Sequence, residues 1–414
     1  MNTLPSELID HTIDFLHSDP FSLRACSLVC WSWVPAARFH TFEHVALRRR
    51  WRRMLQTQYD AFLALLAAPK CTFPAFVTQL TLQDIDSRRD ARLGEEFHAV
   101  YPVLRSRLAE TLRSVTFCRW EALGTQPLHE FLPFCTGLTE LRLESVRFNS
   151  AEELFRMLSL CQPTLETLEI WWSTWSSNAE VEAKTEIARP DFPAALSVKT
   201  LRLRRCNFGD ILEHFVLASQ RMESVLECAT LDLIGVVPEH VPEIGKFVER
   251  TGTSLRHLTI EFSGDVPDDW MAQEDASRTQ FHDSAASFLN HVDLRKNPRL
   301  QSLSVLNIAR ATSDATESLP RTFLPALLRT LTPLRELAKL RFSLDLNSRG
   351  DFHASALFDW PAVDNALTAI DSLTSVEVEV AGVEPAAVYA SLPRIVARSP
   401  GCLSVVSAAV GYYY

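Results

Sequence analysis

The stretch LTELRLE, Leu138–Glu144, and its echo LETLEIW, Leu165–Trp171, decide the fold. Each reads apolar-x-x-apolar-x-apolar. The last two apolar positions alternate with polar ones, as in a strand buried on one face. The same spacing recurs as Val77/Leu80/Leu82, Leu112/Val115/Phe117, Val198/Leu201/Leu203, Cys228/Leu231/Leu233 and Leu255/Leu258/Ile260, then as Leu300/Leu303/Val305, Leu337/Leu340/Phe342 and Leu373/Val376/Val378. The middle anchors of these ten triads stand 26 to 45 residues apart. One such strand cannot cover its own apolar face, whereas stacked neighbours can. Each buried anchor contributes roughly 1.5–3 kcal/mol, set against about 1–2 kcal/mol of backbone entropy per ordered residue.

The pattern resembles the leucine-rich repeat, LxxLxL followed by a turn and a helix. That resemblance implies an α/β solenoid over residues 76–414 with about ten irregular repeats. Parallel strands would line the concave face and helices the convex face. The repeats are longer than the usual ~20–29 residues, and the Asn/Cys that turns the strand is clear only at Cys206. An ordinary α/β domain with a parallel sheet is the alternative, but none of the 12 glycines builds GxGxxG or GxxxxGK[ST]. Between anchors, Ser150–Cys161 opens on a capping box, Ser150 with Glu153, and Val241–Arg250 reads as a second helix. Two insertions, 173–193 and 264–298, read as loops, with a short helix from Asp283 to Leu294.

Residues 1–45 have a different grammar. Leu4-Pro5 opens a helix, Asp19-Pro20 caps and restarts one, and Pro35 begins a third. The run Leu4, Pro5, Glu7, Leu8, Ile13, Leu16, Asp19, Leu23, Val29, Cys30, Trp33 resembles the F-box. The resemblance implies a three-helix module that docks on the Skp-type adaptor of SCF ubiquitin ligases through Leu4, Pro5, Leu8, Ile9, Ile13, Leu16, Leu23, Val29 and Cys30. Residues 46–75 read as a helical connector. Its arginine knot, Arg48, Arg49, Arg50, Arg52 and Arg53, reads as a solvated helix face with Trp51 and Met54 turned inward.

A net charge of −10 argues against nonspecific nucleic-acid or membrane-surface binding. The longest apolar run, Ala61 to Pro69, is too short for the ~20 residues that a bilayer needs. The N-terminus lacks the pattern of a signal peptide. Nine cysteines without regular spacing read as reduced thiols of an intracellular protein, cytoplasmic and/or nuclear. Cys26, Cys30, His40 and His44 imitate zinc ligands, but the central gap is short and Cys30 already has a packing role in the module. No HExxH or GxSxG signature occurs. The expectation is a chain with no catalytic residue, no metal and no cofactor.

Binding remains. The residues between anchors face outward, and among them Arg142, Trp171, Trp175, Arg202 and Arg204 are the expected target contacts. Tryptophan is costly to leave in water and is enriched in interfaces. The resemblances imply the substrate-recognition subunit of an SCF-type ligase. It would hold an unknown target protein and reach the cullin-RING machinery through the adaptor. A non-ligase repeat scaffold is the alternative.

Overall fold

Asp19 shows how local chemistry sets the N-terminal helices. Its Oδ1 accepts from Phe21 N–H (3.0 Å) and Ser22 N–H (3.3 Å), while Ser22 Oγ donates to Oδ2 at 2.6 Å. The Ser22 hydroxyl is the main cause holding this carboxyl below the usual range. Helix α2, Pro20–Cys26, starts there. It follows α1, Ser6–Asp14, and precedes α3, Val34–Phe42, with Pro35 in its first turn. Ile13, Leu23, Cys26 and Ala37 form the module's core, with Ile9, Leu16, Trp33 and Ala36 around it. His40 Nε2 lies 2.7 Å from Asp14 Oδ1 and ties α3 to α1.

The chain is seen in a computed structural model that describes residues 5–48, 56–83, 101–119, 131–148, 150–161, 164–175, 198–221, 225–262, 274–310, 319–345, 358–399 and 401–407. It divides into two compact units, 1–196 and 197–414. Leu4, Arg49 to Arg53, most of the 173–193 insertion and the terminal Gly411 to Tyr414 lie outside the described residues.

In the first unit the sheet begins earlier than the sequence suggested. Residues 46–48, read as helical connector, belong to strand β1, His44–Arg48. Val45 and Leu47 are buried, alternate with the exposed His44 and Ala46, and pair in register with Leu80 and Leu82 of β2, Gln79–Gln83. The connector's helix is α4, Gln56–Ala67. Phe62 packs on Phe73 (ring centroids 5.5 Å apart), which also stacks on Phe42 of α3 (4.8 Å). Strands β3, Ser114–Cys118, and β4, Glu140–Glu144, follow. A short strand β5, Arg147–Phe148, and helix α5, Ala151–Ser159, precede β6, Thr167–Trp171. β7, Thr174–Trp175, pairs with β5 in a side ladder. The expected cap is seen at Ser150, whose Oγ accepts from Glu153 N–H at 3.3 Å.

The second unit repeats the strand–helix plan. In order it runs β8 (Thr200–Arg204), α6 (Phe208–Arg221), β9 (Thr230–Val236), α7 (Val241–Thr251), β10 (His257–Phe262), α8 (Glu274–His291) and β11 (Ser302–Arg310). Then come α9 (Leu319–Leu331), β12 (Lys339–Asp345), α10 (Trp360–Thr368), β13 (Ser375–Ala381), α11 (Pro385–Ser391), α12 (Pro393–Arg398) and β14 (Leu403–Ser407). Helix α8 starts well before Asp283, inside what read as loop, and buries Ala285 and Phe288. β14 is a strand beyond the ten expected.

All thirty anchor side chains are buried. Within the first unit the main sheet runs β1-β2-β3-β4-β6, within the second β8 through β14, and every pair is parallel. Anchors meet anchors: Leu80↔Val115↔Leu141↔Leu168 in one, Leu201↔Leu231↔Leu258↔Leu303↔Leu340↔Val376↔Leu403 in the other. Neither unit reverses its strand order, so neither has the switch point of a doubly wound sheet. Burial alternates along β2, β4 and β10, so one sheet face is closed and the other open, unlike a sheet covered on both sides. Each unit is therefore a strand–helix stack of leucine-rich-repeat type.

A second regularity was not visible in the letters. Two residues after the last anchor, Arg119, Ser145, Trp172, Arg205 and Asn307 take φ between 45° and 54°, and Gly235 takes 90°. This left-handed turn costs a non-glycine residue about 1–2 kcal/mol. The turn residue's own N–H goes to the neighbouring repeat in three of them: Arg119 donates to Glu144 O, Ser145 to Trp171 O (both 2.7 Å) and Arg205 to Ile234 O (2.8 Å). Cys206, the one turn residue recognised from sequence, is buried just after Arg205, and burial pushes its thiol pKa up.

Buried polar groups lock repeats together. Asn297 Nδ2 donates to Val248 O and Gly252 O, both at 2.9 Å, closing the end of α7. Asp364 on α10 accepts from Arg394 N–H (2.9 Å) and Ile395 N–H (3.0 Å), so it caps α12 from a different element.

Candidate interaction surface

On the first unit's open face, the polar residues of β1–β4 line a shallow depression of about 370 Å³. Its floor and walls include His44, Gln79, Thr81, Gln83, Ser114, Thr116, Glu140, Arg142 and Glu144. His44 Nε2 meets Thr81 Oγ1 at 2.9 Å. Beside the depression, Arg142 and Glu169 are cross-strand partners. Arg142 Nε lies 2.5 Å from Glu169 Oε2, a contact ion pair rather than an aligned hydrogen bond. The Glu169 side chain is wholly buried while Arg142 keeps about a third of its surface in water. The Arg142 guanidinium also lies 4.6 Å from the centre of the Trp171 ring, within cation–π range.

Two of the five expected target contacts, Arg142 and Trp171, are thus brought together. Trp175 is on the side ladder, opposite the buried Phe148, and is half-buried. Trp172 occupies a left-handed turn, is half exposed and stands edge-on to Trp171 at 6.3 Å. Arg202 and Arg204 belong to the second unit, exposed on β8. Arg202 Nε donates to Asp232 Oδ2 at 3.0 Å.

The second unit's open face carries further cross-strand pairs. Arg341 spans Glu377 (3.1 Å) and Glu379 (2.8 Å), and Asn307 Nδ2 donates to Glu261 Oε1 at 2.8 Å. His257 shares a hydrogen bond with Ser302 Oγ at 2.8 Å. The hydroxyl and amide lining of β1–β3 stands out less in the sequence than the charged and aromatic residues do. The signal was available in HVAL at 44–47 and QLTLQ at 79–83.

The N-terminal module presents a separate surface. Leu8, Phe15, Phe21, Leu28, Val29 and Trp31 are exposed, from 51% at Leu8 to 88% at Trp31. Of the expected adaptor contacts, Pro5, Leu8, Val29 and Cys30 are exposed, and Ile9 and Leu16 are half-buried. Ile13 and Leu23, expected there too, are core residues, 0% and 1% exposed, and the chain by itself does not present them on its surface. The four zinc-like residues do not converge. Cys26 is in the core, Cys30 meets Ser32, His40 meets Asp14 and His44 meets Thr81. All nine cysteines are unbridged thiols. Among the described residues, no helix is long and apolar enough to cross a membrane.

No family model matches the chain, and no curated protein matches it. Among solved structures, the chain is similar to an internalin from Listeria monocytogenes str. 4b F2365. Identity is 12%, the match covers 78% of this chain and 96% of that one, and the TM-score is 0.24. That likeness is too slight to bear on the fold, which rests on the strand register and the buried anchors.

Proposed function

We propose that this chain is the substrate-recognition subunit of an SCF-type ubiquitin ligase. The N-terminal helices dock on a Skp-type adaptor, and the open sheet face holds a target protein. The carrying observation is the exposed apolar surface on that module, Leu8, Phe15, Phe21, Leu28, Val29 and Trp31, of which Leu8 and Val29 belong to the run that resembles the F-box. Leaving six large apolar side chains in water is costly, and apolar exposure concentrated in one small module suits an interaction site. The chain performs no chemistry of its own. It raises the concentration of the target near the ubiquitin-loaded enzyme, inside the cell.

Leu8→Glu with Val29→Glu tests the reading, since both residues are exposed and outside the module's core. Adaptor co-purification is expected to fall at least tenfold while the far-UV spectrum and the melting curve stay unchanged. Undiminished adaptor binding by the folded variant refutes the docking role. Adaptor binding without cullin or ubiquitinated clients refutes the ligase role and identifies a scaffold.

A further inference from the structure

The depression across β1–β4 has an uneven charge. Among the described residues, Arg142 is the one guanidinium of its lining and meets two carboxylates, Glu140 and the buried Glu169, while Glu144 stands two residues along the same strand face. Arg142 leans toward β6, where it meets the buried Glu169 at 2.5 Å, whereas Glu140 is farther, at 3.8 Å. The groove side of β4 is therefore left with the charge of Glu140 and Glu144. These residues are four apart on one strand face, about 13 Å at ~3.3 Å per residue. Alongside runs a strip of hydroxyls and amides, Gln79, Thr81, Ser114 and Thr116. Such a strip suits the alternating N–H and C=O groups of an extended chain.

We infer that this groove receives an extended segment of the target protein carrying two basic side chains four residues apart, one for Glu140 and one for Glu144. An extended segment lying along β4 has the same rise per residue, so its residues i and i+4 reach both carboxylates. The inference rests on the receptor reading and deepens it, because it names the chemistry that the open face selects. Charge complementarity of this kind sets specificity and encounter rate more than raw affinity, and exposed pairs are screened by salt.

The test uses the full chain bound to its adaptor and fluorescein-labelled ten-residue peptides in a Gly/Ser/Thr background. One set carries Lys or Arg at i and i+4, a second at i and i+1, and a third carries Glu at i and i+4. Fluorescence polarisation is expected to rank the first set tightest, about tenfold over the glutamate set. Glu140→Gln with Glu144→Gln is expected to weaken it roughly three- to tenfold, with the melting temperature unchanged. Raising salt from 50 to 300 mM is expected to erode the preference. Equal binding of all sets, preference for the glutamate set, no binding of any set, or indifference to the double variant each overturns the inference. If targets are still ubiquitinated by the Glu140→Gln/Glu144→Gln protein, the receptor reading stands without it. If the Leu8→Glu/Val29→Glu protein keeps its adaptor, the receptor reading falls whatever the peptides show.

Discussion

Removing Arg142 is expected to damage the first unit more than removing its partner. Glu169 has no exposed side-chain surface, while Arg142 keeps about a third of its own. Breaking a fully buried pair costs roughly 3–5 kcal/mol because a charge is left without compensation. Arg142→Ala leaves that charge on Glu169, which retains its other contacts, and also strips the cation from the face of Trp171, worth about 0.5–1 kcal/mol. The expected loss is about 2–4 kcal/mol. Glu169→Gln leaves a guanidinium that still reaches water and lies 3.8 Å from Glu140, so its expected loss is about 1–2 kcal/mol. The double variant Arg142→Ala/Glu169→Gln is expected to be more stable than Arg142→Ala alone. Urea unfolding followed by tryptophan fluorescence reads this, since Trp171, Trp172 and Trp175 are close to the pair in sequence. A Glu169→Gln loss equal to or larger than that of Arg142→Ala, or strict additivity in the double variant, refutes the reasoning.

Two further outcomes are expected. A Cβ on Gly245 comes 2.3 Å from the His291 carbonyl oxygen at the end of α8, so Gly245→Ala is expected to cost about 1–3 kcal/mol in thermal or urea unfolding, opposite in sign to the roughly 1 kcal/mol gain from alanine's helix propensity. Cys30 is exposed, and its hydrogen bond with Ser32 lowers its pKa, whereas burial pushes Cys135 and Cys161 up to about 12. At pH 7–8 a thiol reagent is therefore expected to modify Cys30 long before either buried thiol in the native protein, with Ser32→Ala slowing it, as peptide mass mapping after timed labelling would show.

The ladder was legible because its grammar is apolar and local. A triad such as Leu138/Leu141/Leu143 announces a strand with one buried face, and all thirty such positions are buried. Val45 and Leu47 were passed over because two alternating residues after a helix are too few to stand out against a connector. The left-handed turns were hidden for another reason. Arg119, Ser145 and Arg205 carry no strong preference for that conformation, and each is held in it with its N–H on the neighbouring repeat's carbonyl. The interaction surface was half legible. Arg142 and Trp171 were chosen singly for charge and aromatic character, but Glu169 was one strand residue among several until its burial showed it to be the anchor of the pair. Ile13 and Leu23 lie in the module's core, which a helical periodicity does not show: it says which residues share a face, not which face is covered.

The in-register stack has a consequence for how such a chain can change. Adjacent strands stay about 4.8 Å apart whether the excursion between them is 26 residues or 45. Length added on the helical side therefore leaves the comb of outward side chains at the same pitch. Repeats can be lengthened, trimmed or decorated by drift while the order of residues offered to a ligand is edited one tooth at a time.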